Sequence, residues 1–267
     1  MIYFLHIGYD GTNYRGWQYQ KNVKSIQETI EVNLKKILKK EVVVFGCGRT
    51  DAGVHASQYV LHIDIESVDF DLKVRLNHNL PKDIVVYDVL KMEEGQHARF
   101  DANSRTYDYF IHLYDDPFLN RVSSQYNLDY LGGSLNYEVM QEAAELISQT
   151  RDFIGFCKQP DLYDNTDCVI TEAKLYVNEQ EQRLRFSITA NRFLRGMIRL
   201  IVAYLLKVGS GEMTLSEFKL LIENKLDVAD KSSAFPNGLY LSKVVYPYLK
   251  LNTKKDICSL LKVGLGD

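Results

Sequence analysis

The sequence has no uninterrupted apolar run approaching the ~18–20 residues that a membrane-spanning helix requires, so no such helix is expected. Its four cysteines, Cys47, Cys157, Cys168 and Cys258, form no C-x-x-C pair, and neither a zinc module nor a disulfide framework is indicated. The six histidines (His6, His55, His62, His78, His97 and His112) lack tight ligand spacing, which argues against a metal site. No Gly-Lys-Ser/Thr closes a phosphate loop, and no nucleotide fingerprint or Ser-His-Asp arrangement is visible. An excess of basic charge is also missing: 32 Lys and Arg against 35 Asp and Glu leave −3 at pH 7. Phosphate binding usually leaves a basic footprint, so this balance argues mildly against a nucleic-acid partner. The opening Met1-Ile2-Tyr3-Phe4-Leu5-His6-Ile7 lacks the basic region and small-residue cleavage site of a signal peptide, and a cytoplasmic location is expected.

Net charge does not fix distribution. Between Glu181 and Glu212 there is no acidic residue, while Arg183, Arg185, Arg192, Arg195, Arg199 and Lys207 all fall there. A slightly acidic chain can therefore present one basic face. The length of 267 residues, with 46% hydrophobic and 25% charged residues, suits one large globular domain or two of about 130 residues.

Residues 2–9 read as a strand ending at the turn-forming Asp10-Gly11-Thr12-Asn13. Ser25-Ile26-Gln27-Glu28 has the form of a capping box, and Ile26, Ile30, Leu34, Ile37 and Leu38 keep helical spacing after it. Val42 to Phe45 reads as a short buried strand, and Tyr59, Leu61, Ile63 and Ile65 alternate as a half-buried one. A weak helix over 70–78 stops at Asn79-Leu80-Pro81, before a strand from Ile84 to Val89.

The second half has a similar order: a strand from Arg105 to Tyr114, a helix after Asn136, and a hairpin built from Val169–Val177 and Leu184–Ala190. An apolar helix from Phe193 to Lys207 follows, then a capping box at Thr214-Leu215-Ser216-Glu217 and a closing strand from Leu239 to Tyr246. These elements predict an α+β protein of two split-βαβ, ferredoxin- or RRM-like units. Their mixed or antiparallel sheets would be flanked by helices, with a catalytic cleft between the units. The expected ranges are 1–100, 101–248 and a Lys-rich, weakly patterned tail over 249–267.

The most informative stretch is Gly46-Cys47-Gly48-Arg49-Thr50-Asp51-Ala52-Gly53-Val54-His55-Ala56, directly after an apolar strand. Glycines permit close approach of a ligand, and a carboxylate beside a guanidinium stays ionised and oriented, as a nucleophile or base must. Taken alone, a glycine-framed aspartate is more often a turn residue hydrogen-bonded to its own backbone. Arg192, Arg195 and Arg199, spaced by three and four residues, would share one face of the late helix; a solvated stripe is the plainer account of them. Tyr107, in an alternating strand and one of 18 tyrosines, reads by itself as a packing residue.

Gly48 to Ala56 resembles the signature loop of the TruA family of tRNA pseudouridine synthases. Companion motifs occur in that family's order: Tyr9-Asp10-Gly11 with Gly16-Trp17-Gln18, Ser25-Ile26-Gln27-Glu28, Asn79-Leu80-Pro81 and His97-Ala98-Arg99-Phe100. Arg105-Thr106-Tyr107-Asp108-Tyr109, Phe193-Leu194-Arg195-Gly196-Met197-Ile198-Arg199 and Gly238-Leu239-Tyr240-Leu241 complete the series. The resemblance implies that Asp51 is the catalytic nucleophile and that Arg49 fills the space left by a flipped uridine. It also implies that Tyr107 stacks on the base and serves as general base, with Arg199 pairing with the aspartate. Arg192 and Arg195 are then candidate phosphate contacts, and His55 and Leu241 are expected at the substrate.

The implied reaction needs no cofactor or metal. The implied partner is the anticodon arm of tRNA at positions 38, 39 and 40, and the implied assembly is a homodimer. One departure stands out: Ala234-Phe235-Pro236-Asn237 replaces the Ala-Pro-Ala type string of many members. The alternatives are a non-catalytic RNA-binding module of RRM-like units and a glycoside-type hydrolase. The latter needs a second carboxylate, for which Asp10 and Asp64 are the candidates.

Overall fold

The computed structural model describes residues 1–226, 231–251 and 257–261. The first half contains β1 (Ile2–Tyr9), α1 (Ile26–Leu38), β2 (Phe45–Gly46), β3 (His55–Asp64), α2 (Leu72–Asn79) and β4 (Ile84–Lys91). There follow β5 (Ser104–His112), β6 (Ser124–Gln125), α3 (Tyr137–Gln149), β7 (Ile170–Asn178) and β8 (Arg183–Ala190). The chain continues through α4 (Met197–Ser210), α5 (Leu215–Ile222), β9 (Leu239–Val245) and α6 (Ile257–Leu261). This is the α+β class that the sequence predicts. Two compact units form: Met1–Arg105 with Tyr240–Ile257, and Thr106–Leu239 with the described residues from Cys258 onward.

In the first unit the strands lie in the order β4-β1-β3-β9. β1 runs antiparallel to both β3 and β4, whereas β9 joins β3 in parallel through His55↔Tyr240 and Ala56↔Leu241. β3 is not half-buried as its alternation suggests. Val60 and His62 are as shielded as Tyr59, Leu61 and Ile63, because Phe4 and Phe45 cover the His62 ring. The expected strand from Val42 shrinks to Phe45–Gly46 for a related reason. The Val44 N–H donates to Glu31 Oε1 (3.1 Å) and its carbonyl accepts from Gln27 Nε2 (3.3 Å), so α1 side chains take the place of a strand partner. α1 itself starts where Ser25 Oγ accepts from the Glu28 N–H at 3.2 Å. It buries Ile26, Ile30 and Leu34 on one face, each worth ~1.5–3 kcal/mol of removed apolar surface.

In the second unit the order is β5-β8-β7, and β7 and β8 form the predicted antiparallel hairpin, with Leu175 opposite Phe186. α3 packs on β7 and against α4. Both halves of the Thr214–Glu217 capping box are formed at α5. α4 begins at Met197 rather than Phe193. Gly196 sits at φ +74°, a left-handed conformation that ends the Leu194–Met197 turn and starts the helix. Arg192 and Arg195 therefore lie in the turn before α4 and do not share a helix face with Arg199. Within the weakly patterned tail, Ile257–Leu261 is helical, Cys258 and Leu261 are buried, and Arg183 Nη1 donates to the Leu261 carbonyl at 3.2 Å. Residues 252–256 and 262–267 of that tail lie outside the described residues.

Candidate active site

The Gly46–Ala56 loop is clamped in the first unit by backbone contacts that the sequence does not advertise. The Trp17 N–H donates to the Thr50 carbonyl (3.1 Å), the Gly53 N–H to the Tyr14 carbonyl (3.2 Å), and the Val54 N–H to the carbonyl of Asp51 (3.2 Å). Tyr9 Oη and Thr50 Oγ1 share a buried hydrogen bond of 2.8 Å. Gly16 has φ +90°, and a Cβ there would meet the Thr50 carbonyl oxygen at 2.5 Å, so this close approach requires glycine. Beneath the loop the Trp17 and Tyr59 rings stack at 4.2 Å, and the Tyr59 hydroxyl donates to the Gly48 carbonyl. Asp51 emerges half-buried from this support, two residues after an exposed Arg49.

Arg49 is steered by Gln18: its Nε donates to Gln18 Oε1 at 3.1 Å, and Gln18 Nε2 in turn donates to Gln27 Oε1 at 2.9 Å. The first turn of α1 continues the brace, with the Ile26 and Gln27 N–H groups donating to the Gly16 and Trp17 carbonyls. The Gly16-Trp17-Gln18 and Ser25-Ile26-Gln27 motifs thus form one backing for the loop. On the other side, Arg105 Nε and Nη2 donate to the Cys47 carbonyl at 3.1 and 2.7 Å. The Cys47 thiol is buried, and burial pushes its pKa up to about 11, which removes it as a nucleophile.

His55 and Leu241, expected at the substrate, lie packed within the first unit. Both are buried, with the His55 ring stacked on Tyr240 at 4.6 Å. His55 Nδ1 lies 3.1 Å from the Gly11 N–H and 3.2 Å from Asp10 Oδ1. One nitrogen cannot serve both: it accepts from Gly11 when unprotonated and donates to Asp10 when protonated. The geometry makes the pair an anchor for the loop's exit.

Neither alternative carboxylate is available as a second catalytic acid. Burial pushes the Asp10 pKa up, but hydrogen bonds from His55 and Thr12 outweigh it and hold the group well below the usual carboxylate range. Asp64 is exposed and ion-paired with the terminal ammonium at 2.8 Å.

The remaining candidates belong to the second unit. Tyr107, on β5, is buried and meets Phe193 edge-on at 5.1 Å. Arg199, in the first turn of α4, donates from Nε to the Ala234 carbonyl (2.7 Å), while the Ala234 N–H donates to the Arg199 carbonyl (3.0 Å). Arg192 bonds Asn165 and lies over the Tyr163 ring at 5.6 Å; exposed Arg195 bonds Gln159.

The strap that holds Arg199 is itself pinned. Tyr109 Oη donates to the Phe235 carbonyl (2.8 Å), and the Phe235 N–H donates to Tyr126 Oη (3.3 Å). Asn237 Nδ2 donates to the carbonyls of Asn120 (2.7 Å) and Ser123 (3.1 Å). Gln18 and Arg105 stand in quoted motifs and the strap stands as a departure from a pattern, but motif reading assigns none of them the supporting contacts seen here. Together the elements provide a rigidly mounted carboxylate with an exposed guanidinium on one loop, which suits nucleophilic work on a ligand brought to it.

The family model described as tRNA pseudouridine synthase matches residues 143–247, and with the full-length relatives that follow it defines the class: an isomerase acting on uridine in tRNA. The chain is 43% identical over 264 residues to the tRNA pseudouridine synthase A of Bacteroides thetaiotaomicron, covering 97% of this chain and 96% of that protein. It is 41% identical over 249 residues to that of Porphyromonas gingivalis, with 92% and 97% covered. The Streptococcus agalactiae protein of the same name is 33% identical over 251 residues, with 91% and 95% covered. The chain belongs to the tRNA pseudouridine synthase A family.

Proposed function

We propose that this chain converts uridine to pseudouridine at positions 38, 39 and 40 of the tRNA anticodon arm, with Asp51 as nucleophile. The uridine is drawn out of its stack, at a cost of a few kcal/mol that phosphate contacts offset. Arg49, exposed and steered by Gln18, occupies the space the base leaves. With Asp51 engaged, the C1′–N1 bond breaks, the uracil turns over and C1′–C5 forms. The C5 proton leaves and N1 gains one, so no redox partner or energy donor enters the balance. Arg199 supplies the cation that keeps the carboxylate ionised, and Tyr107 stacks on the uracil and assists removal of the C5 proton. Arg192 and Arg195 contact phosphates. The enzyme works in the cytoplasm as a homodimer.

The observation that carries this reading is the mounting of the loop: Thr50, the residue before Asp51, is fixed by Trp17 through its carbonyl and by Tyr9 through its hydroxyl, so the Asp51 carboxylate is presented on a rigid support. The test is tritium release from unmodified tRNA labelled at uracil C5. Release traced to the anticodon arm and abolished by Asp51→Asn, with RNA affinity retained, is expected. Substantial turnover by that variant would remove Asp51 from the role.

A further inference from the structure

A cavity of about 360 Å³ in the second unit is lined by Asn120, Gln125, Asn127, Phe235 and Asn237. That volume falls in the ~300–1,000 Å³ range of small-ligand sites. Four of the five lining side chains are carboxamides and the fifth is a phenylalanine with 58% of its surface exposed. No charged side chain lines it, which fits a phosphate poorly. An exposed ring beside neutral donors and acceptors fits a nucleobase, which stacks through its face and is recognised along its edge.

The hydrogen bonds of the lining residues leave a defined set of groups for a ligand. Asn237 is consumed within the fold: Nδ2 on the Asn120 and Ser123 carbonyls, and Oδ1 accepting from Ser124 Oγ at 3.0 Å. Asn120 Oδ1 faces His112 Nε2 at 3.0 Å, Asn127 Oδ1 caps the Asp129 N–H at 2.9 Å, and Gln125 Nε2 donates to Asp115. Among the described residues, the Nδ2 groups of Asn120 and Asn127 and the Oε1 of Gln125 remain. Two donors and an acceptor around a ring face are the complement of a base edge. Phe235 is placed firmly for the role, since both its N–H and its carbonyl are bonded by tyrosine hydroxyls.

We infer that this cavity is a subsite for a second, unpaired nucleobase of the RNA substrate, stacked on Phe235 and met along its edge by Asn120, Gln125 and Asn127. The inference rests on the reading of the chain as a tRNA-modifying enzyme. It adds a contact to a base that is not the one isomerised. Because Phe235 adjoins Ala234, whose carbonyl holds Arg199, the subsite and the Arg199 anchor share one strap.

The chain contains a single tryptophan, Trp17, which is buried, so Phe235→Trp adds one exposed reporter. Titration of that variant with an unmodified tRNA transcript is expected to quench the added fluorescence saturably, in step with binding. Phe235→Ala is expected to raise KM for tRNA about 10-fold, with Phe235→Tyr restoring it. Undiminished fluorescence at saturating tRNA, while tritium release proceeds, would overturn the subsite and leave the synthase reading intact. A signal that follows protein concentration without RNA would overturn it in favour of a second copy of the chain in the cavity. Saturable quenching in a protein that releases no tritium would keep the base subsite and remove the synthase reading.

Discussion

A methyl group at residue 16 would sit 2.5 Å from the Thr50 carbonyl oxygen and 3.1 Å from the Asp51 carbonyl carbon, on a backbone with φ +90°. Gly16→Ala must therefore push the loop away or strain the arm that braces it, a cost of ~1–3 kcal/mol. In a chain of this size that shifts Tm by only a few degrees. The rate of tritium release is expected to fall more than about 10-fold, since displacement of a reacting group by an ångström costs far more in rate than in stability. Melting curves and initial rates on the same preparation check both halves, and an unchanged rate would show that the loop position is not critical.

Gln18→Ala acts differently. It frees Arg49 without moving the backbone, so KM should rise ~2–10-fold, the cost of ordering one long side chain on binding, with kcat near that of the parent. A fall in kcat alone would mean that the tether serves the chemical step.

At the level of elements, His62 on β3 links β2 to the segment at 97–101. Its Nδ1 accepts from the Ala98 N–H at 3.2 Å, its ring stacks on Phe45 at 4.9 Å, and His97 abuts it at 4.4 Å. Burial, then repulsion from His97, lowers the His62 pKa to about 4. The unfolded chain takes up that proton near pH ~6.5 and the folded one only near 4. The stabilisation is therefore complete above about pH 6.5 and is lost as pH falls from there towards 4. His62→Gln should flatten the dependence of Tm on pH across that window, measured against the parent; parallel curves would show that His62 does not carry it.

The strap offers a second test at this scale. Asn237→Ala loosens the segment whose Ala234 carbonyl holds Arg199, and a several-fold loss of kcat is expected. If the loss runs through Arg199, it largely disappears in an Arg199→Ala background; additive losses would separate the two.

Which elements were legible follows from what determines them. α1, α3 and the β7–β8 hairpin carry their periodicity and caps within a dozen residues, so local pattern suffices. The start of α4 is hidden because Phe193 and Leu194 extend its apolar pattern across Gly196, whose positive φ no periodicity records. β2 loses its first residues to Gln27 and Glu31 from another element, and β9 finds β3 across most of the chain. The candidate site divides in the same way. The Asp51 loop is readable as a string of residues, while Gln18, Arg105 and the 234–237 strap act through backbone carbonyls and one amide contact that a string does not show.

For the molecule as a whole, the homodimer proposed here predicts that tritium-releasing activity elutes from a sizing column at about twice the chain mass of 30.8 kDa. Full activity in a fraction of single-chain mass would refute it. The fold of the first unit also sets a time order. The strand that lies beside His55 and Ala56 is Tyr240–Leu241, about 185 residues later in the chain. At ribosomal speeds of ~5–20 residues per second, β3 waits roughly ten to forty seconds for that neighbour. Until then the exit of the Asp51 loop lacks one edge of its support, and a nascent chain emerging among mature tRNAs carries the residues of the proposed site without its finished frame.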